Sequence, residues 1–441
     1  MEPLTSCNIH QYLEKIRQEI SFDHSKTPRL NQTLLEYLDM LKQCLVMECV
    51  GRELDTAMKW IEHVKQITEV LKSKLGLTGF TYPREFSSFI SNPLEHLKKK
   101  LFNYAYDLIR GKLSLEEFQR RGAAAVRTSL RTNLRTAYQI WGLAAIMLLL
   151  ANRGYEVVYP EHRYLSFDRS GKQKLGIIPP NVVLFNIRRG FISIFHEAPR
   201  PLCWEDTSDL QRIWGLYTAL RPDSMVYGGK VMNIVDLNSV PPIKRPDIIL
   251  EFKELEEWYT RTRDLKGYFK KPLTAEEWRS KWIEGLYTGL AEVLGIQRTE
   301  VKQRVSEGTS LRIREYQLVK LYYSTYKPQK MILVSRTKMP KDIVTELEAT
   351  GIVVIDNVGF DVEKLEPVVD ALDRVASYEG GNRITISLPI ETVKLLTSAM
   401  EVLNVENPEL AIHKALEYLL DSESLKRHKP SHAIDRDLQR S

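Results

Sequence analysis

The chain has 441 residues, of which 43% are hydrophobic and 27% charged, and its formal net charge is +6. This composition is that of a folded globular protein, and the length predicts about two to four domains because one core rarely extends so far. The first residues, MEPLTSCNIH, are not typical of a secretory signal. The four cysteines form no CxxC pair, which favours a reduced, cytoplasmic protein.

The first part of the chain is predicted to be helical. Apolar residues recur at three- and four-residue spacing in QTLLEYLDMLKQCLVMECV and in AMKWIEHVKQITEVLKSKL, which is the period of an amphipathic helix. We therefore assign residues 1–130 to an all-helical domain. The uncharged run TAYQIWGLAAIMLLLAN follows it and is short for a membrane span. It predicts a buried core helix and no membrane association.

A basic stretch lies at the end of the helical domain. Between Asn92 and Arg135, ten Lys or Arg residues face four acids, a surplus equal to the net charge of the whole chain. Such a surplus favours a surface that binds a polyanion such as the DNA backbone, with a solvated helix face as the alternative. The candidate DNA contacts here are Arg120, Arg121 and Arg127.

The middle of the chain, residues 131–378, is predicted to be an α/β domain. Apolar runs of strand length occur there between helical segments: YEVVYP, NVVLFNI, GFISIFHE, DIILEFK, KMILVS and GIVVIDNV. The whole chain is thus expected to be an α+β multidomain protein. It contains no Walker or GxGxxG loop, so we expect no nucleotide cofactor.

Acidic residues and a lysine accompany one of these predicted strands. Glu251 and Lys253 project from the same face, since residues two apart on a strand share a side. Mg²⁺ prefers oxygen ligands, so a second carboxylate is needed, and Asp223 or Asp247 could provide it. Asp247 lies four residues from Glu251, about 13 Å along a strand, which favours Asp223. His196 and Glu197, at the end of GFISIFHE, could add a ligand, but the Glu197 carboxylate is expected to face solvent.

Pro222-Asp223, followed after a spacer by EFK at 251–253, resembles the PD-(D/E)XK nuclease superfamily over residues 134–360. The resemblance implies a restriction-endonuclease-like core with a mixed sheet and Mg²⁺ (or Mn²⁺) as cofactor. It implies that Asp223 and Glu251 bind the metal and that Lys253 is catalytic. Gln139 stands where the family often has a glutamate, and Gln317 or Lys320 matches a polar position on a later helix. Gln139 and Gln317 are therefore further candidate catalytic residues.

The last segment, residues 381–424, has a different pattern. RITISLP alternates in polarity like a strand, and two predicted helices follow, the second with Asn407 as N-cap. One strand and two helices cannot bury a core alone. Residues 382–421 resemble the ribbon-helix-helix family, which implies a homodimer whose paired strands read the DNA major groove. The implied base contacts are Arg383, Thr385 and Ser387, with a phosphate near Asn407.

These patterns predict a metal-dependent DNA endonuclease that binds DNA as a dimer through its C-terminal domain. The alternative is a non-enzymatic DNA-binding protein, such as a regulator, a partition protein or an architectural factor, with a degenerate nuclease fold. Gln139 in place of an acid favours this alternative. The final residues, 425–441, are expected to be a disordered tail.

Overall fold

The structure is a computed structural model that describes residues 8–22, 24, 28–168, 177–198, 221–236, 238–264, 277–307, 312–381 and 388–421. The chain divides into two compact units, residues 1–382 and 383–441. Helices and a mixed sheet occur together in the first unit, so the predicted α+β class is confirmed at that level.

The α-helices found in the described residues are α1 (Ile9–Glu19), α2 (Gln32–Leu75), α3 (Arg84–Ser91), α4 (Pro93–Lys100), α5 (Phe102–Ile109), α6 (Leu115–Asn152), α7 (Glu277–Leu294), α8 (Arg298–Ser306), α9 (Glu315–Tyr326), α10 (Lys341–Glu348), α11 (Glu366–Val375), α12 (Ile390–Val402) and α13 (Pro408–Asp421). Helix α6 is unusually long, with 38 residues, and α2 spans 44 residues but is kinked at Val50, whose backbone angles are not helical.

The strands found in the described residues are β1 (Ser21–Phe22), β2 (Pro28–Arg29), β3 (Gly79–Thr81), β4 (Glu156–Tyr159), β5 (Tyr164–Ser166), β6 (Val182–Asn186), β7 (Gly190–His196), β8 (Ser224–Gly228), β9 (Ile248–Lys253), β10 (Thr262–Asp264), β11 (Arg312–Arg314), β12 (Lys330–Ser335) and β13 (Ile352–Ile355). Seven of them form the main sheet in the order β13-β12-β9-β8-β7-β6-β4. Strands β9, β12 and β13 are parallel, and every pair from β9 to β4 is antiparallel.

Helix α6 joins the helical region to the sheet. It starts after Ser114, whose side chain accepts a hydrogen bond from the Glu117 N–H, and it continues without a break to Asn152. The predicted domain boundary near residue 130 therefore falls inside a helix. Helices α2 and α6 share one hydrophobic core with the sheet, so the contacts of the chain do not separate residues 1–130 as a compact unit.

The apolar half of α6 is long and apolar enough to cross a membrane, but 89% of that window is buried inside the protein. The prediction of a core helix is thus confirmed. At Gly142 the helix approaches β9 so closely that a Cβ would lie 2.4 Å from the Phe252 ring. Glycine is needed here because any side chain would push α6 away from the sheet.

The two faces of β9 pack against different cores. Leu250 and Phe252 belong to the core that contains α2 and α6. Ile249 belongs to a second core, which contains apolar residues of α7 and α9. Because side chains alternate along a strand, Glu251 and Lys253 emerge on the side of this second core, as the predicted alternation requires.

The cysteines differ from the prediction. Cys44 on α2 is buried and disulfide-bonded, whereas Cys49 carries a free thiol. The expectation that every cysteine is reduced is therefore wrong for Cys44.

The second unit contains α12 and α13. The side chain of Asn407 accepts a hydrogen bond from the Glu409 N–H at 2.8 Å, so the predicted N-cap is confirmed. None of the α12 residues is buried, and Ala411 on α13 is buried. The predicted base-reading residues Arg383, Thr385 and Ser387, and the predicted tail, lie outside the described residues.

Candidate active site

Two carboxylates from neighbouring strands meet at the carboxyl end of β9. Strand β8 pairs antiparallel with β9 so that Ser224 lies opposite Leu250, which brings Asp223 beside Glu251. The Asp223 N–H donates to Glu251 Oε2 at 3.1 Å, and the Phe252 N–H donates to Asp223 Oδ2 at 2.7 Å. The structure thus brings together the two acids that the sequence singled out.

Helix α6 contributes Gln139 to the same place. Its Nε2 donates to Asp223 Oδ1 at 2.5 Å, and the side chain is buried. The close packing of Gly142 on Phe252 fixes the height of the helix above β9 and so positions this amide. Both oxygens of Asp223 therefore accept a hydrogen bond, which holds the carboxylate in one orientation.

Lys253 lies between two glutamates. Its Nζ donates to Glu251 Oε1 at 2.8 Å and is 3.6 Å from Glu315 Oε2. The ammonium also lies 5.2 Å from the centre of the Trp258 ring. Glu251, Lys253 and Glu315 are 3%, 8% and 6% exposed, so these charges face each other within the protein rather than in water.

Burial and charge shift the pKa values of this cluster. Burial, followed by the negative charge of Glu251, raises the pKa of Asp223 well above its usual value. Burial alone would lower the pKa of Lys253, but the charges of Glu251, Glu315 and Asp223 outweigh it and the pKa is raised. The lysine therefore stays cationic, while the cluster of three carboxyl groups around it favours the binding of positive charge.

The cluster opens into a cavity of about 210 Å³. Besides Asp223, Glu251, Lys253 and Gln139, the cavity is lined by Thr132, Arg135, Thr136, Glu197, Arg221, Phe252 and Tyr322. Glu197 is 7% exposed, and its N–H donates to the Asp223 carbonyl at 2.7 Å. The prediction that Glu197 faces solvent is therefore wrong, because the β7 strand ends against the chain that leads into β8.

Three polar residues considered from the sequence are used elsewhere. Gln317 Oε1 accepts from the Arg314 N–H at 2.8 Å and thereby caps α9, and Gln317 does not line the cavity. Asp247 Oδ2 accepts from the Gly228 N–H at 2.8 Å, at the far end of β8. Lys320 pairs with Glu346 on α10 at 2.6 Å. The geometry places Glu315, rather than Gln317, beside Lys253.

Sequence reasoning missed Glu315. It is the first residue of α9 and follows the short strand β11 directly. An acid in the first turn of a helix is a common response to the helix dipole and carries no catalytic signal by itself. Its contact with Lys253 depends on how α9 packs beside β9, which local patterns do not reveal.

The predicted basic surface is partly neutralised within the protein. Lys98 is 4% exposed and pairs with Asp39 and Glu95, so it does not belong to a DNA-binding surface. Arg121 pairs with Glu117 at 3.0 Å and lines a second cavity of about 580 Å³. The remaining predicted contacts, Arg120 and Arg127, are exposed on α6.

The site can be compared with the needs of Mg²⁺. Within the described residues, no group of three or more His, Cys, Asp or Glu side chains is arranged to hold a metal. Mg²⁺ is commonly bound through one or two carboxylates, with waters and substrate phosphates completing its shell. Asp223 and Glu251 supply that minimum of hard oxygen ligands, because each oxygen that accepts one hydrogen bond keeps a further lone pair. The residues present fit an open Mg²⁺ site and not a closed protein cage.

No family model, no curated protein and no solved structure matches the chain.

Proposed function

We propose that the protein is a Mg²⁺-dependent DNA endonuclease whose reaction centre contains Asp223, Glu251 and Lys253. The observation that carries this proposal is the juxtaposition of two carboxylates from adjacent strands, with a lysine bonded to one of them, at the floor of a cavity. Phosphodiester hydrolysis needs oxygen ligands for a divalent ion and a cation near the phosphate, and this cluster offers both.

Each residue has a distinct role in the proposed reaction. Asp223 and Glu251 would hold Mg²⁺, which supplies an activated water and neutralises phosphate charge when bound. Lys253 would donate a hydrogen bond to the phosphate oxygen on which charge develops. Gln139 orients Asp223 through its 2.5 Å hydrogen bond, and Glu315 holds the Lys253 ammonium in place. The attacking water would form the new P–O bond and release a proton to solvent, while the bond to the leaving sugar oxygen would break and that oxygen would take up a proton from solvent.

We further propose that the second unit makes the protein a homodimer on DNA. Two helices whose apolar residues are mostly exposed support this proposal, since such a unit needs a partner to form a core. A two-fold pair of readers would place two reaction centres on opposite strands of one site, an arrangement that suits double-strand cleavage.

The direct test is a plasmid cleavage assay with and without Mg²⁺ or Mn²⁺. Wild-type protein is expected to cut supercoiled DNA only with metal, and Glu251→Ala is expected to abolish cutting while DNA binding remains. Glu156→Ala is the matched control, because Glu156 is exposed on β4 at the far edge of the same sheet. A wild-type protein that cuts no DNA under varied metal and temperature would overturn the proposal.

A second candidate is a DNA-binding protein without nuclease activity. The neutral amide of Gln139 bonded to Asp223 favours it, because a third carboxylate at this position would increase metal affinity. Thermal unfolding separates the two: a ligand that binds the folded state raises the melting temperature. Under the nuclease proposal, Mg²⁺ raises the melting temperature of the wild type but not of Asp223→Asn. No shift in either protein would favour the second candidate.

A further inference from the structure

We infer that one face of α6 is the track for the sugar–phosphate backbone of the bound nucleic acid, and that Arg131, Arg135 and Arg261 bind the phosphates beside the one hydrolysed. The inference rests on the proposed function for the identity of the ligand. It adds three phosphate-binding residues and a direction of approach to the reaction centre.

The shape of α6 supplies the first argument. Arg121, Thr128, Thr132, Arg135 and Gln139 follow each other at spacings of three, four or seven residues, so they share one face of the helix. The cavity of about 580 Å³ at Arg121 and the cavity of about 210 Å³ at Gln139 are both lined by Thr132. The two cavities therefore adjoin. The helix face from Arg121 to Gln139, along which they lie, is about 27 Å long at the rise of an α-helix. Such a length accommodates several nucleotides.

The concentration of arginines supplies the second argument. The side chain of Arg135 is 40% exposed and lines the smaller cavity. Its Nε lies 3.8 Å from Glu254 Oε1. Arg131 is exposed one turn before it, and Arg261 is half-buried at the end of the segment that follows β9. The Glu315 N–H donates to the Arg261 carbonyl at 2.8 Å, which places Arg261 beside the buried cluster. Burial and the positive charges of Arg131 and Arg135 lower the pKa of Arg261, against the opposing charge of Glu254.

The charges do not cancel within this cluster. Glu254 is buried beside Arg135, and Glu315 already contacts Lys253, so three guanidinium groups share mainly one carboxylate. Like charges held close together destabilise the fold unless an anion binds between them. Arginine also matches the geometry of phosphate oxygens through its planar fork of donors.

The start of the basic stretch does not belong to this track. Lys98 pairs with Asp39 and Glu95, and Lys100 pairs with Glu85. Their charges are compensated before any ligand binds. The phosphate contacts nearest the reaction centre thus belong to the middle of α6 and to Arg261.

The test is a salt titration of DNA binding by the full chain, with a fluorescent duplex and EDTA to prevent cleavage. Each lost phosphate contact lowers the slope of log affinity against log salt by about 0.9 on duplex DNA and about 0.7 on a single strand. Arg131→Gln with Arg261→Gln is expected to lower the duplex slope by about 1.8 and to weaken all sequences alike. The single Arg131→Gln variant, at an exposed position, is expected to lower it by about 0.9 and covers the case in which the double variant does not fold.

The matched control is Arg188→Gln with Arg374→Gln, which removes the same charge from exposed positions. Arg188 lies in the turn before β7, about 20 Å along that strand from the site. The control slope is expected to equal that of the wild type. Equal slopes for wild type, control and both Arg131 variants would overturn the inference.

The plasmid assay keeps this result separate from the nuclease proposal. A wild type that cleaves, with an unchanged slope in the Arg131 variants, would overturn the track and leave the nuclease proposal standing. A wild type that never cleaves, with a slope lowered in these variants but not in the control, would support the track in a DNA-binding protein and overturn the nuclease.

Discussion

The candidate active site buries charged side chains, whereas the C-terminal unit exposes apolar ones. At the site, Glu251, Lys253 and Glu315 are 3%, 8% and 6% exposed although they carry charge. In the C-terminal unit, Leu395, Val402 and Tyr418 are 72%, 85% and 76% exposed although they are large and mostly apolar. Folded proteins normally keep charges in water and apolar side chains in the core.

The two regions are therefore suited to different kinds of partner. Buried charges are costly unless they are paired, so a cluster with more carboxylates than cations is suited to a cationic ligand. Exposed apolar residues on neighbouring helices are suited to an apolar partner surface, and a second copy of the unit would provide one. The first region is thus expected to be sensitive to changes of charge, and the second to changes of assembly.

The largest effect is expected from removing the cation of the buried cluster. Lys253→Met leaves Glu251 and Glu315 without their counter-charge and should destabilise the protein by about 3–5 kcal/mol. Urea unfolding followed by tryptophan fluorescence measures it, since all seven tryptophans precede residue 383 and report on the first unit. Lys59→Met, at an exposed position of α2, is the control and should change stability by less than about 0.5 kcal/mol. Equal stability of the two variants would contradict the assigned role of Lys253.

The second prediction concerns assembly. A chain that ends at Glu379 lacks the C-terminal unit and should have less than half the mass of the full chain in light scattering, because the proposed dimer loses its interface. Leu395→Glu in the full chain should weaken the dimer in the same direction by placing a charge on the apolar surface. An unchanged mass after truncation would mean that another surface holds the oligomer.

The third prediction concerns sequence recognition. Arg383→Ala should reduce the preference for a specific duplex over a scrambled one by about 1–3 kcal/mol, because a base contact is lost. Lys394→Ala, on the exposed face of α12, is the control and should leave the preference unchanged. The preference is the ratio of the two binding constants. Equal weakening of both duplexes by Arg383→Ala would show that the last unit serves dimerisation and not sequence recognition.

The smallest effect is a pH dependence of stability at Asp223. Its pKa is raised in the folded protein, so between the usual value of 3.8 and the raised value the folded chain binds more protons than the unfolded chain. This contribution to stability is present at low pH and is lost as pH rises through that window. Asp223→Asn removes the titrating group, so its free energy of unfolding relative to wild type should increase as pH rises above 3.8 towards the raised pKa. A constant difference would contradict the raised pKa.

Local patterns predicted several elements correctly. The alternation of IILEFK indicated a strand with Glu251 and Lys253 on one side, and β9 has that arrangement. The apolar run at the end of α6 indicated a core helix, and Asn407 indicated a helix start. These signals are reliable because strand and helix periods and capping bonds involve residues only a few positions apart. The roles of these residues in DNA cleavage and recognition stay predictions.

The alternation along β9 was enough to predict that Glu251 and Lys253 share a face, and the strand rise was enough to favour Asp223 over Asp247 as the second acid. The three-dimensional structure was needed to show that Glu315 contacts Lys253, that Gln317 caps its own helix and that Glu197 is buried. Each of these outcomes depends on which strands pair and how α6 and α9 pack beside β9. Such contacts join residues far apart in the chain, and their free energy comes from a shared core that no short pattern contains.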